Sequence, residues 1–218
     1  MAELRTEEEQ IQAIKDWWKQ NGTSLLIGIG AALAIVFGWQ GWQNHQAQQR
    51  AEAGNQFVSL VEAFSNESDE ERGATVGFIA KTLRDKYADS AYAVYGNLIL
   101  ARQQLTDGDA DGAIETLEWA LEKSADHPAL SLVVRNRLAR AKFAAGHHDD
   151  ALAIIDGVKD AGSFASIFEE LRGDILLAKG DRDGARTAYL RARDEQGISG
   201  GTGILELKLS DLGVGEDA

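Results

Sequence analysis

Apolar and polar positions follow two different patterns along this chain. Between Lys19 and Arg50 there is no Asp, Glu, Lys or Arg, although 26% of the whole chain is charged. Inside that gap Leu25–Trp39 reads LLIGIGAALAIVFGW, with no strongly polar side chain. Extended to Thr23–Trp42 it gives twenty residues. At about 1.5 Å per residue, a helix of that length crosses a hydrocarbon core of about 30 Å. Beyond the gap, apolar residues return three and four positions apart, and the chain holds one proline. This pattern predicts an all-α protein. A head over residues 1–22 leads into a transmembrane helix over 23–42, followed by a helical-repeat domain over 43–218.

One short pattern organises that domain. Gly108-Asp-Ala-Asp-Gly-Ala113 returns as Gly146-His-His-Asp-Asp-Ala151 and as Gly180-Asp-Arg-Asp-Gly-Ala185, with spacings of 38 and 34 residues. Each copy ends one apolar helical run (Leu98, Ala101, Leu105; Leu138, Ala139, Phe143; Leu171, Ile175, Leu176). Each also begins another (Ile114, Leu117, Leu121; Leu152, Ile155, Val158; Ala188, Tyr189, Ala192). Glycine suits the left-handed residue that ends a helix, and Asp suits the cap of the next. Alanine at a fixed offset lets paired helices approach closely.

A period near 34 residues with small residues at fixed places resembles the tetratricopeptide repeat. Ala101, Ala139 and Gly173 match that repeat's small position on its first helix, and Ala120 and Ala192 match the later one, where Val158 departs from it. Gln43–Lys86 reads as a less regular first pair, with Ala53, Phe57, Leu60, Val61 and Phe64 on one helix. Ser68 and Glu71 form a capping box for the next, which carries Val76, Ile79, Leu83 and Tyr87. After the glycine-rich break at Gly197–Gly203, a last helix with Ile204, Leu205, Leu209 and Leu212 is expected to cover the end of the stack.

The apolar stretch reads as an uncleaved anchor, not a signal peptide. It is longer than a signal's apolar region, and the head before it is acidic (Glu3, Glu7, Glu8, Glu9, Asp16). The one Ala-x-Ala match, Ala51-Glu52-Ala53, lies well past the apolar core. Thr6 and Glu9 make a capping-box pair, with Ile11, Ile14 and Trp18 on one face of the helix that follows. Orientation follows lysine and arginine. The head carries Arg5, Lys15 and Lys19, whereas the other flank has Arg50 and then nothing basic until Arg72. That count places the head in the cytoplasm and the large domain outside. Trp17, Trp18, Trp39 and Trp42 suit the two interfaces, and Gly28, Gly30, Ala32, Ala34 and Gly38 form small-xxx-small pairs that would admit another helix.

A net charge of −13 disfavours nucleic acid, and the absence of cysteine removes disulfides, thiolate catalysis and cysteine–zinc sites. Asp107, Asp109, Asp111, Gly112 and Glu118 satisfy the calcium-loop pattern. They also form the first copy of the repeat turn, and the other copies lack the ligands (Ala145 and Lys179; Asp156 and Leu190). A capped, solvated turn is the preferred reading, with a calcium-regulated module as an alternative. His147-His148-Asp149-Asp150 likewise occupies a repeat turn. Gly197–Gly203 lacks the lysine of a P-loop. No catalytic constellation or cofactor site is expected, so the chain reads as a non-enzyme.

Helical solenoids present a curved groove to proteins. The first helix of each pair nominates Tyr95, Leu98, Arg102 and Leu105, then Asn136, Arg140 and Phe143, then Ile167, Glu170 and Asp174. The competing reading packs several of these against neighbouring pairs. The set lacks a dense basic cluster, so an apolar or mixed segment is the expected ligand.

Several segments together resemble one family. They are EEEQIQAIKDWWKQNG (Glu7–Gly22), GWQGWQNHQ (Gly38–Gln46), LRGDILLAKGDRDGAR (Leu171–Arg186) and ILELKLSDL (Ile204–Leu212). The chain is similar throughout to the YfgM family, the ancillary subunit of the bacterial Sec translocon. The resemblance implies a single-pass inner-membrane protein with a tetratricopeptide-like periplasmic domain. It also implies association with the SecYEG channel and a membrane-anchored periplasmic prolyl-isomerase-like chaperone. Emerging periplasmic and outer-membrane proteins would be handed on to chaperones. A scaffold for another envelope complex, using the same groove, is the main alternative.

Overall fold

The computed structural model describes residues 7–66, 69–196 and 203–213. All the regular structure among them is helical. Contacts divide the chain into two compact units, residues 1–51 and 52–218. Thr6 and Ser68, the caps expected at two helix starts, lie outside the described residues, as does the glycine-rich break except Gly203.

The described residues of the first unit belong to helix α1, which spans Glu7–Asn66 and ends within the second unit. Residues 7–22 of the head, the apolar stretch and the exit are therefore parts of one helix. No proline interrupts it, and Gly28, Gly30, Gly38 and Gly41 are tolerated, each costing about 1 kcal/mol relative to alanine. The stretch is long and apolar enough to cross a membrane. Leu26, Ile27, Ile35 and Phe37 expose their side chains, the arrangement expected of a helix whose apolar faces meet lipid. The Trp39 and Trp42 rings lie 5.1 Å apart.

The second unit continues with α2 (Asp69–Lys86), α3 (Ala91–Thr106), α4 (Ala110–Lys123), α5 (Pro128–Ala144), α6 (His148–Asp156), α7 (Ala165–Ala178), α8 (Arg182–Gln196) and α9 (Gly203–Asp211). Helices α3/α4, α5/α6 and α7/α8 pair as the repeat demands. Pro128 opens α5, where its missing N–H costs nothing.

Each repeat turn rests on a glycine in the left-handed region: Gly108, Gly146 and Gly180 have φ of 82°, 80° and 85°. Asp109 and Asp181 then cap α4 and α8, each accepting the N–H three residues on, from Gly112 and Gly184, at 2.9 Å. The expected Asp cap fails in the middle copy. His147 follows the glycine there, and its side chain makes no capping bond to α6. Asp149 instead pairs with Lys179 of the next turn, and that ammonium holds its carboxyl below the usual range.

The repeat alanines Ala113, Ala151 and Ala185 are fully buried. Burial falls into four clusters that succeed one another along the chain, each joining consecutive helices. Ala53, Leu60, Leu83 and Ala93 begin the series. At its end Leu205, Leu209 and Leu212 of the closing segment pack on Ala185, Tyr189 and Ala192. Ile204, expected to join them, is exposed. It sits a sixth of a turn or more off the stripe formed by Leu205, Leu209 and Leu212, and so faces solvent. Lys208 of α9 bridges Glu170 at 2.7 Å and Asp174 at 2.6 Å.

Candidate functional site

A cleft of about 500 Å³ opens between α3 and α5. Leu98, Ala101, Arg102, Leu105 and Thr106 come from α3, Leu117 from α4, and Asn136, Arg137 and Arg140 from α5. Ala101 of α3 is buried and lines the cleft, whereas Ala139 of α5 is buried in the cluster that continues into α6 and α7. Leu98 and Leu117 are buried and Leu105 packs against the same core, so the floor is apolar.

Two of the cleft's arginines are held by local contacts. The Arg102 guanidinium lies 5.3 Å from the centre of the Phe64 ring. Arg140 donates through Nε to Asn136 Oδ1 at 3.1 Å. That bond orients the Asn136 amide, which is 7% exposed and whose Nδ2 has no partner among the described residues. Burial, and then the nearby Arg102 charge, lower the pKa of Arg137. The guanidinium remains a cation at any ordinary pH.

Five of the ten residues nominated from sequence line this cleft: Leu98, Arg102, Leu105, Asn136 and Arg140. Tyr95 sits one turn earlier on α3 and is exposed, with its ring 6.1 Å from that of Phe57. Phe143 lies at the end of α5, packed on the third cluster with its ring 5.5 Å from His148. Ile167 is exposed on α7. Glu170 and Asp174 are engaged by Lys208, and Asp174 also accepts the Tyr189 hydroxyl at 2.8 Å. Sequence reasoning passed over Arg137. Its signal was the three-residue spacing to Arg140, which puts both guanidiniums along one side of α5.

Three of the calcium-loop carboxylates are otherwise employed. Asp109 caps α4, Asp107 accepts from Gln103 at 2.9 Å, and Glu118 pairs with Lys142 at 3.0 Å. Residues 110–123 are helical, as the repeat requires and a calcium loop does not allow. Among the described residues no group of three His, Asp or Glu side chains is placed to hold a metal ion.

Comparison with known proteins agrees with this architecture. A family model described as a tetratricopeptide repeat-like domain matches residues 15–214. The ancillary SecYEG translocon subunit of Haemophilus influenzae is 31% identical over 212 residues, covering 97% of this chain and all of the relative. The protein of that name from Escherichia coli is 27% identical over 95% of this chain and 97% of its own length. That from Aggregatibacter actinomycetemcomitans is 31% identical over 90% and 93%. No solved structure matches the chain significantly. A near-complete match to a repeat-like domain, with an apolar N-terminal helix and relatives aligned end to end, places the chain in the family of ancillary SecYEG translocon subunits, the YfgM family.

Proposed function

We propose that this protein is a non-enzymatic, membrane-anchored adaptor at the Sec translocon, and that the α3–α5 cleft binds protein segments. The observation that carries this reading is the cleft itself. Its apolar floor of Leu98, Leu105 and Leu117 is edged by donors on two facing helices. A concave, mostly apolar site with a few fixed polar groups is the usual form of a binding pocket, and helical solenoids use such surfaces for protein ligands. The relatives are named as translocon subunits, which supports SecYEG as the partner of the anchor.

The lysine and arginine count supports a cytoplasmic head and a periplasmic repeat domain. In that orientation the cleft meets emerging periplasmic and outer-membrane proteins. It passes them to a membrane-anchored periplasmic prolyl-isomerase-like chaperone. The same cleft would serve a scaffold of another envelope complex, and partner identity separates the two.

Photo-crosslinkers placed at Ile35 and Arg140 in native membranes test the proposal. The Ile35 probe should recover a Sec channel component, and the Arg140 probe a chaperone or translocating chain. Recovery of neither class removes the translocon reading. Recovery of a different envelope complex by both probes replaces it with the scaffold.

A further inference from the structure

The charges of the cleft define its ligand more narrowly. Acidic residues outnumber basic ones by 35 to 22 in this chain, yet among the described residues three arginines line the cleft and no carboxylate does. Arg102, Arg137 and Arg140 have no ion-pair partner among the described residues. Asn136 adds a fourth donor. Its oxygen is taken by Arg140, so only Nδ2 remains, buried and without a partner among the described residues. A buried donor carries its full desolvation cost until an acceptor arrives. The polar groups of this cleft therefore ask for acceptors, and guanidiniums match carboxylates best.

The repeat register supplies an independent argument. Arg102, Arg140 and Asp174 each follow the small residue of their copy (Ala101, Ala139, Gly173). In the third copy this position is anionic, and the chain fills it with its own cation, Lys208, which bridges Asp174 and Glu170. In the first two copies the same position is cationic and lines an open cleft. The occupant that complements it has the reverse charge. Burial and the neighbouring Arg102 both act against the charged form of Arg137, a tension that an incoming anion relieves.

We infer that the α3–α5 cleft selects an internal protein segment in which Asp or Glu residues flank an apolar side chain. This rests on the reading of the cleft as a protein-binding site. The guanidiniums stand on two facing helices, so carboxylates at two points along a segment satisfy them better than one chain terminus does. Between them Leu98, Leu105 and Leu117 take the apolar side chain. A volume of about 500 Å³ admits a few side chains and not a folded surface.

The test uses the full-length protein in non-ionic detergent and fluorescence anisotropy of labelled peptides. The probe is an N-acetylated, C-amidated Asp-Leu-Glu-Leu-Asp peptide. Its counterparts carry Asn and Gln, or Lys, in place of the acids. The acidic peptide should bind about tenfold or more tightly than the Asn/Gln peptide, with little binding of the Lys peptide. Arg137→Gln and Arg140→Gln should each weaken it about tenfold, without equal loss of the Asn/Gln peptide. A salt titration of the unaltered protein, from about 50 to about 500 mM, should weaken only the acidic peptide and needs no variant to fold.

Equal binding of the acidic and Asn/Gln peptides overturns the acidic preference and leaves the cleft reading standing. Acidic binding that ignores both arginine variants overturns the location. If an Asn/Gln peptide with a free C-terminal carboxylate matches the acidic amide, the ligand is a chain terminus and the internal-segment assignment is wrong. No binding of any peptide overturns the inference, while crosslinking from Arg140 separately decides whether the cleft meets protein at all.

Discussion

Gly173→Ala isolates the close packing of the last repeat pair. A methyl group at this position would sit 2.9 Å from Tyr189 Cζ and closer still to Cδ1 and Cε1. The ring has little room to yield. Tyr189 is 1% exposed, its hydroxyl donates to Asp174 at 2.8 Å, and the Lys208 ammonium lies 5.5 Å from the ring centre. Two effects oppose each other. Replacing glycine by alanine inside a helix favours the fold by about 0.8–1.0 kcal/mol. Overpacking costs about 1–3 kcal/mol, and losing the hydroxyl's bond to a carboxylate adds about 1.5–3 kcal/mol.

The clash wins, with a net destabilisation of about 1.5–5 kcal/mol. At about 2–4 °C per kcal/mol for a domain of this size, the midpoint should fall by about 3–20 °C. Far-ultraviolet circular dichroism of the full-length protein measures it. Hydrogen exchange should rise first in α7, α8 and α9, because each pair is held by its neighbours. Gly96→Ala is the matched control. Its methyl group would meet Leu83 Cδ1 at 2.7 Å and Leu60 Cδ1 at 3.3 Å, the ends of rotatable side chains. It should stay within about 1 kcal/mol of the parent. An unchanged or raised midpoint for Gly173→Ala would refute the reasoning, since helix propensity would then outweigh a ring that moves freely.

Lys208→Met should cost about 1–3 kcal/mol in urea denaturation at neutral pH, because it leaves Glu170 and Asp174 side by side without their cation. Burial acts to lower the pKa of Lys208, but its bonds to Asp174 and Glu170 outweigh burial and hold it above the ordinary value. Its contribution is therefore complete below its unfolded pKa of about 10.4 and is lost as pH rises through the folded value. Lys208→Met should flatten that alkaline limb of the stability curve, and an undiminished limb would remove Lys208 as its cause. Gly146→Ala, at φ 80°, should lower stability by about 1–2 kcal/mol, read as a shift in the urea midpoint. Ile35→Arg puts a charge mid-span at a cost of about 2.5–3.5 kcal/mol. It should move part of the protein into the soluble fraction on carbonate extraction, and full retention would count against insertion of this stretch.

Much of the fold was legible because repetition enforces the same local physics three times. Glycine–aspartate turns, alanine offsets and apolar spacings agree with one another, and the helix pairs follow from them. The middle cap escaped because it was inferred from its neighbours, whereas His147 offers no short side-chain oxygen. Ile204 was grouped with Leu205, Leu209 and Leu212 by helical spacing, but one residue's rotation from Leu205 sends it outward. The cleft was half legible. Leu98, Arg102, Leu105, Asn136 and Arg140 follow from register. Arg137 does not, because the register sets Ile99 and Leu171 at its position, neither of them polar. The engagement of Glu170 and Asp174 depended on Lys208, distant in sequence, which no local pattern announces.

The last helix pair also constrains how such a chain can grow. Glu170, Asp174 and Tyr189 are matched to α9, and Gly173 is matched to the Tyr189 ring. Duplicating α7 and α8 in place would set two acidic seats against one lysine and give the inner copy the wrong neighbour. Lengthening by gene duplication is therefore open to the α3–α6 modules and closed to the terminal one. Any longer descendant would gain arginine-bearing cleft before it gained a second ending.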